Sequence, residues 1–175
     1  MTVSLKYAHV ERERRWLLRT APQLDGPPSV ITDRYLLGTR MRLRELAEGG
    51  EVVRKLGHKV RLGDGPDEVA CTNFYLDGAE WAAIEGLPAD VLHKQRWRLV
   101  RENQRVAVDV FAGHLTGLVL AEVDRGSGPD RGLPSGFDVV AEVTREEAFT
   151  GAALARASRA EIVAVAESHG VRLTG

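Results

Sequence analysis

Apolar and polar side chains alternate along much of the first 124 residues of this chain, which is the period of a β-strand with one buried face. The clearest case is the segment 40–46, where Met41 and Leu43 fall on one face and Arg42 and Arg44 on the other. Turn residues rich in Gly separate many of these segments. The pattern predicts strands at residues 10–18, 30–36, 40–46, 52–62, 69–76, 91–100, 105–111 and 118–124, with a short last strand at 139–143.

Helical signals lie in one short connection and at the end of the chain. An N-cap residue followed three positions later by Glu is the signature of a capping box. This spacing predicts a short helix at residues 78–85 and a C-terminal helical segment at about 144–170. The three predicted pairs are Asp77 with Glu80, Thr144 with Glu147 and Ser158 with Glu161. Seven or eight antiparallel strands followed by helices are typical of a closed or nearly closed barrel.

Composition is that of a globular protein of one domain, with 43% hydrophobic and 28% charged residues and a net charge of −1. The first 61 residues hold 13 Lys and Arg against 7 Asp and Glu, so a locally basic site for a small anion is expected. No apolar run is long enough to span a membrane, and the first six residues lack the apolar core of a signal peptide. We therefore expect a cytoplasmic protein.

Cysteine and histidine give no metal-binding motif. Cys71 is the only cysteine, which excludes an internal disulfide and argues against a cysteine-based metal site. The five histidines form no His-x-x-x-His pair, so zinc is not expected either.

The most unusual stretch is a run of five charged residues from Glu11 to Arg15. In a strand, Glu11, Glu13 and Arg15 share one face, about 7 Å apart. Taken alone, such a run is usually a solvated surface. The same pattern recurs on later strands, and this favours a charged interior. The cations of one parity are Arg15, Arg42, Arg44, Lys55, Lys59, Lys94, Arg96 and Arg98, and the anions are Glu11, Glu13, Asp109, Glu122, Asp124 and Glu142.

Charges of both signs inside one barrel need each other, water, metal ions or a highly charged ligand. Phosphoryl transfer from a polyphosphate uses both, because Arg and Lys bind phosphate oxygens while carboxylates hold Mg²⁺ or Mn²⁺. The number of cations suits a triphosphate. The alternative is a ladder of ion pairs on the outer surface, which also has a stabilising effect.

An ordered series of these residues resembles the CYTH superfamily, the triphosphate tunnel metalloenzymes. The series begins with Glu11-x-Glu13-x-Arg15 and covers roughly residues 7–156. It continues through Arg42-Leu-Arg44, Lys55 with Lys59, Lys94-x-Arg96, Asp109 before Gly113, Glu122-Val-Asp124 and Glu142-Val-Thr144. The resemblance implies an α+β protein that is mainly β. We predict an eight-stranded antiparallel closed β-barrel, with short flanking helices and a C-terminal helix. The whole chain, residues 1–175, would be one such domain, with the barrel at about residues 5–143.

The same resemblance implies roles for individual residues. Catalytic roles fall to Glu11, Glu13, Arg15 and Lys94. Phosphate binding falls to Arg42, Arg44, Lys55, Lys59, Arg96 and Arg98. Divalent metal, Mg²⁺ or Mn²⁺, falls to Glu11, Glu13, Glu122 and Asp124, with Asp109 and Glu142 as further candidate ligands. Two departures stand out: Arg15 replaces the lysine of the family pattern, and Phe149-Thr-Gly151 replaces a common Tyr-Ser-Asn.

The reaction implied is metal-dependent hydrolysis of a triphosphate, with inorganic triphosphate as the first choice of substrate. Other members of the family hydrolyse thiamine triphosphate or cyclise ATP, so a thiamine triphosphatase and an adenylyl cyclase stay open. A non-catalytic protein that binds triphosphate or polyphosphate is the alternative from another class. The expected partner is a small-molecule triphosphate; nucleic acid and membrane are not expected, and a homodimer is left open.

Overall fold

The structure is a computed structural model that describes residues 5–126 and 132–174. Most of the segment inspected for a signal peptide, and the middle of a glycine-rich connection, lie outside these described residues. None of the helices in the described ranges has the length and apolar character needed to cross a membrane.

Eight antiparallel strands form a closed barrel, as predicted. In spatial order the sheet runs β5-β4-β3-β2-β6-β7-β8-β1, and β1 closes the barrel by pairing with β5. The strands are β1 (His9–Leu18), β2 (Ser29–Leu36), β3 (Met41–Glu48), β4 (Glu51–Arg61), β5 (Glu68–Tyr75), β6 (Ala89–Arg101), β7 (Gln104–Phe111) and β8 (Val119–Asp124). The β1–β5 pairing, which joins His9–Arg12 to Glu68–Cys71, turns the sheet into a barrel.

Strand β1 has a different neighbour along each half of one of its edges. His9 to Arg12 pair with β5, whereas Trp16 to Leu18 pair with an additional short strand, β9 (Val139–Glu142). The other edge of β1 pairs with β8 from Glu13 to Leu18. The predicted last strand therefore exists, but it extends the sheet beside the barrel and is not one of the eight barrel strands.

Three α-helices complete the fold. α1 (Gly78–Ile84) has the predicted capping box of Asp77 and Glu80, and its Trp81 packs on the outer face of the barrel against Leu36 and Leu43. At the end of the chain lie α2 (Gly151–Arg156) and α3 (Arg159–Ser168). The capping box of Ser158 and Glu161 begins α3 as predicted.

The cap predicted at Thr144 is wrong. Its hydroxyl accepts the N–H of Arg15 and donates to Glu142, so it ties β1 to β9 instead of starting a helix. The N-cap of α2 is Thr150, whose hydroxyl accepts the N–H of Ala153. A single turn at residues 147–149 precedes it.

The C-terminal helices cover one end of the barrel interior. Inward side chains of the strands become apolar at this end, where Leu17, Leu92 and Leu120 continue the rows that carry Arg15, Lys94 and Glu122. They form one buried cluster with residues of the C-terminal segment, including Phe149, Leu154, Ile162 and Ala166. Burial of this cluster holds the helices against the barrel.

Gly151, the first residue of α2, lies where a larger residue would strike Tyr35. A Cβ atom at position 151 would stand 1.9 Å from the Tyr35 hydroxyl oxygen. The departure from the Tyr-Ser-Asn pattern thus has a steric reason, because the glycine makes room for a tyrosine that points along the barrel interior.

We expect Gly151→Ala to lower the free energy of unfolding by about 1–3 kcal/mol, since the methyl group would overlap the Tyr35 hydroxyl and the tyrosine or the helix would have to shift. Gly78→Ala is the matched control, because Gly78 also opens a helix and has open space around its Cβ position. Urea denaturation of both variants measures the effect. Equal stability of the two variants would contradict this packing.

Candidate functional site

A cavity of about 720 Å³ occupies the barrel interior. Among the described residues that line it, eleven are Arg or Lys and four are Asp or Glu. Most of the predicted site residues lie on its wall: Glu11, Glu13, Arg15, Arg42, Arg44, Lys55, Lys59, Lys94, Arg96, Arg98 and Glu122. Strand parity and register place them there, because alternate side chains of each strand face inward. The cavity is therefore a strongly cationic chamber with a minority of carboxylates.

Asp33 on β2 holds the arginines of β3 from behind. Its carboxylate accepts two hydrogen bonds from Arg44, at 2.6 Å from Nε and 2.5 Å from one terminal nitrogen. The Nε of Arg42 lies 3.4 Å from Asp33 Oδ1 but makes no hydrogen bond. Burial alone raises the pKa of Asp33, yet Arg42 and Arg44 outweigh it and hold that pKa well below its usual value. Both guanidinium groups are thus fixed with donor capacity left over.

Asp109 on β7 plays the same part for β6. It is fully buried, accepts a hydrogen bond of 2.5 Å from Lys94 Nζ, and binds Arg96 through two bonds of 2.6 and 2.5 Å. Arg96 also donates to Glu122 on β8. Burial and the neighbouring Arg96 lower the pKa of Lys94, whereas Asp109 opposes this shift. Asp109 anchors two cavity cations without lining the cavity itself.

Arg15 of β1 lies between two carboxylates, Glu122 of β8 and Glu13 of its own strand. Its Nε donates to Glu122 at 2.9 Å, and one terminal nitrogen is 3.7 Å from Glu13. Burial raises the pKa of Glu122, but Arg96 and Arg15 together hold it well below the usual range. The contact with Glu13 is too long for a hydrogen bond, so the Glu13 oxygens keep their lone pairs for another partner.

Glu11 occupies the β1–β5 wall with Lys59 of β4. Lys59 Nζ lies 2.5 Å from Glu11 Oε2, and His9 Nε2 lies 3.1 Å from Oε1. Burial raises the pKa of Glu11, but the Lys59 ammonium and further hydrogen bonds outweigh it and lower the pKa to about 2. Glu11 is therefore ionised in the folded protein at neutral pH.

Lys55 differs from Lys59 and Lys94, the other two lysines of the cavity wall. In the described part of the chain its ammonium forms no hydrogen bond and no ion pair, whereas Lys59 and Lys94 each bind a carboxylate. Burial, followed by the charges of Arg44 and Arg42, lowers the pKa of Lys55. An anion in the cavity would relieve this repulsion.

Three predicted ligand candidates do not line the cavity. Asp109 points inward but is fully buried beneath the Lys94 and Arg96 side chains that it binds. Asp124 is exposed and accepts the N–H of Gly126. Glu142 is bound by Arg14, which belongs to the opposite parity of β1 from Glu13 and Arg15, and by Thr144. The register explains this, because Glu142 is the cross-strand neighbour of the outward-facing Trp16.

Sequence reasoning missed Asp33 and Tyr35 as site residues. Both share a parity of β2 with the fully buried Ile31, so the alternation could have placed them inside. The signal was a lone carboxylate on a strand next to the cationic pair of β3. Tyr35 lines the cavity close to Gly151.

The carboxylates present suit a hard divalent cation only in part. Glu13 and Glu122 line the cavity and offer oxygen ligands, and Mg²⁺ commonly uses one or two carboxylates together with substrate phosphates. The predicted set of Glu11, Glu13, Glu122 and Asp124 does not form a compact ligand cluster in the described ranges. Glu13 and Glu122 do not form a preformed cage of ligands, but they would suit a cation that binds together with a phosphate ligand.

Comparison with known proteins gives matches among solved structures alone; no family description and no curated protein matches this chain. The structure of the inorganic triphosphatase NE1496 is 27% identical, with a TM-score of 0.52, over 84% of this chain and 95% of that one. A second structure, of the hypothetical protein NE1496, is 26% identical, with a TM-score of 0.53, over 85% and 99%. The PH1819 protein from Pyrococcus horikoshii OT3 is 11% identical, with a TM-score of 0.50, over 93% and 92%, and it shows the fold alone.

These likenesses agree with the fold that the ordered series of charged residues implied. The chain is similar in fold to a structure described as an inorganic triphosphatase, across nearly the whole length of that protein. The charged barrel interior thus occurs in a fold that is similar to that of a structure described as an inorganic triphosphatase.

We expect Glu11→Gln to reduce the stability of the protein near neutral pH and to flatten its acid sensitivity. The folded pKa of Glu11 is lowered from 4.5 to about 2, so its stabilising effect is present above about pH 4.5 and is lost as pH falls towards 2. One pKa unit corresponds to about 1.4 kcal/mol, so the lowering of the Glu11 pKa sets an upper bound of about 3.5 kcal/mol, which solvent screening reduces.

Urea denaturation at several pH values between 2 and 7 measures this effect. Glu51→Gln is the control, because Glu51 is exposed at a hairpin and makes no ion pair among the described residues. If the wild-type protein and Glu11→Gln differ by the same free energy at every pH, the Glu11–Lys59 pair does not act as the structure indicates.

Proposed function

We propose that this protein is a divalent-metal-dependent hydrolase of triphosphate substrates, with inorganic triphosphate cut to pyrophosphate and phosphate as the most favoured reaction. The observation that carries the proposal is the excess of cations on the cavity wall, where the described lining has eleven Arg and Lys against four Asp and Glu. Asp33 and Asp109 offset only part of this excess, so a polyanion would be a complementary ligand. The similarity in fold to a structure described as an inorganic triphosphatase supports this choice.

Phosphate binding is assigned to the cations that have donors free toward the cavity. Arg42 and Arg44 are held by Asp33, and Arg96 and Lys94 by Asp109, so each group is positioned before a ligand arrives. Positioning in advance reduces the entropy lost on binding. Lys55 and Lys59 extend the same surface along β4, and Arg98, which binds Glu48, lies farther along β6.

Mg²⁺ or Mn²⁺ would be held by Glu13 and Glu122 together with phosphate oxygens. Such an ion would supply Lewis-acid stabilisation of the charge that develops on the transferred phosphoryl group. Glu13, whose oxygens are the least engaged of the cavity glutamates, would accept a hydrogen bond from the attacking water and orient it toward phosphorus. Arg15 and Lys94 would stabilise the charge on the oxygens between the phosphates.

A second candidate is a protein that binds triphosphate without cutting it. The observation that favours it is the position of Arg15, whose guanidinium neutralises Glu122 and approaches Glu13. An arginine cannot release its proton, and so it keeps these carboxylates occupied unless it moves.

Phosphate release from inorganic triphosphate, measured with Mg²⁺, with Mn²⁺ and with EDTA, separates the two candidates. The hydrolase releases phosphate only with the metal. The hydrolase would be overturned in favour of the binding protein if triphosphate raises the melting temperature but no phosphate is released with Mg²⁺ or with Mn²⁺. Parallel assays with ATP and thiamine triphosphate test the remaining alternatives, since a cyclase would form cyclic AMP and pyrophosphate.

We expect Glu13→Gln to lower kcat for triphosphate hydrolysis by at least about 100-fold, because the amide cannot act as a base or hold a metal in the same way. In the absence of metal the Kd for triphosphate should not rise, because the carboxylate of Glu13 makes no attractive contact with the phosphates. Steady-state kinetics and calorimetry give the two constants. Glu45→Gln is the control, because Glu45 pairs with Arg54 on the outer face. Full activity of Glu13→Gln would refute the assigned role.

We expect Lys55→Met to weaken triphosphate binding by about tenfold or more, the effect of losing one charge-assisted interaction. The affinity of the variant should also depend less steeply on salt. Lys6→Met serves as the control for loss of a lysine, because Lys6 is exposed near the start of the chain. Calorimetry at two salt concentrations measures both quantities. Unchanged affinity would show that the ammonium of Lys55 does not contact the ligand.

A further inference from the structure

A thiol, an imidazole and a carboxylate meet on the wall between β1 and β5. The ligand atoms of His9, Glu11 and Cys71 all lie within 4.8 Å of one another. His9 and Cys71 are direct cross-strand partners, and Glu11 is the next inward residue of β1. No sequence motif indicated this group, because Cys71 lies 60 positions after Glu11 and 62 after His9.

The chemistry of these three side chains differs from that of the phosphate-binding wall. Thiolate and imidazole are ligands of zinc-like ions, whereas Mg²⁺ prefers oxygen. Three protein ligands with one open position make a common arrangement for a tetrahedral ion. The distance of 3.1 Å between His9 Nε2 and Glu11 Oε1 is that of two ligands on one such ion.

One hydrogen bond around Cys71 suits a sulfur ligand. Cys71 is fully buried, and Asn73 Nδ2 donates a hydrogen bond to its sulfur at 3.4 Å. Hydrogen bonds from outer neighbours orient metal ligands in this way. The imidazole of His9 is more than half exposed, which leaves a path for an ion from solvent.

One group competes with a metal for this cluster. Lys59 Nζ binds Glu11 at 2.5 Å, and its backbone is the neighbour of Cys71 on the other side of β5. An ion that takes Glu11 as a ligand has to displace this ammonium. The strength of metal binding should therefore depend on Lys59.

We propose that His9, Glu11 and Cys71 form a binding site for a zinc-like divalent ion, separate from the Mg²⁺ or Mn²⁺ of the proposed reaction. On binding, the sulfur–hydrogen bond of Cys71 breaks, its proton passes to solvent and a sulfur–metal bond forms. No oxidant or reductant is required. The proposal concerns binding and does not depend on hydrolysis.

Titration of the full chain with Co²⁺, followed by ultraviolet and visible absorption, tests the site. A thiolate-to-cobalt charge-transfer band should grow to one equivalent and disappear when Zn²⁺ is added. The assignment is unambiguous because Cys71 is the only cysteine. Co²⁺ held by the cavity glutamates alone would give no such band, so this result is independent of the triphosphatase assay.

Variants identify the other ligands. Cys71→Ser should abolish the band, and His9→Asn should weaken Co²⁺ binding at least tenfold. Lys59→Met should strengthen it several-fold, an effect that a merely structural role of Lys59 does not predict. His93→Asn is the matched control, since His93 is exposed and hydrogen-bonded to Thr32 away from this wall.

Two results would overturn the proposal. The first is the absence of a charge-transfer band at saturating Co²⁺ in the folded wild-type protein. The second is a band of equal strength and affinity in wild type, His9→Asn and Glu11→Gln, which would mean that the thiol binds cobalt by itself. If Cys71→Ser does not fold, as judged by circular dichroism, the exposed His9 variant still decides the matter.

Discussion

Charge compensation inside a closed barrel is the constraint on which the rest of this structure depends. A buried ion without a partner costs several kcal/mol, so each inward carboxylate has to meet a cation from a neighbouring strand. Asp33 does this for Arg42 and Arg44, and Asp109 for Lys94 and Arg96. These ion pairs allow charged residues to lie inside the barrel, but they do not neutralise it. A polyanionic ligand would neutralise the positive charge that remains.

Strand register links this constraint to the fold. A shift of one residue would turn every inward charge toward the outer face and bring apolar residues such as Trp16 and Val108 into the cavity. That outer face is itself buried in a cluster that includes Leu18 and Ala121. Both faces of β1 and β8 therefore specify the same register, one through ion pairs and the other through apolar packing.

Residue patterns and turn signals predicted the eight strands, and strand parity placed Glu11, Glu13 and Arg15 on one face of β1, which the recurrence of charges on later strands indicated to be the inner one. These signals failed where the partner of a residue is decided by long-range pairing. Glu142 has the right residue type, yet β9 joins the sheet beside Trp16, where its side chains meet Arg14 outside the barrel. Thr144 was predicted as a helix cap because the neighbouring sequence does not indicate that its hydroxyl will accept a hydrogen bond from Arg15 of β1. Asp33 was overlooked because a single carboxylate between Thr32 and Arg34 repeats no charge pattern, although its parity with Ile31 turns it inward.

Arg15 joins the two requirements of the site, which are charge compensation inside the barrel and binding of a charged ligand. As a structural residue it neutralises Glu122 and approaches Glu13, which allows these carboxylates to remain ionised inside the barrel. As a site residue it occupies the place where a cation arriving with a phosphate would have to bind. A triphosphate brings negative charge of its own, so it can draw the guanidinium toward its oxygens and free Glu13 and Glu122 for a metal. In this arrangement the ligand itself would exchange the internal ion pairs for those that a reaction needs, and the carboxylates need not be assembled beforehand.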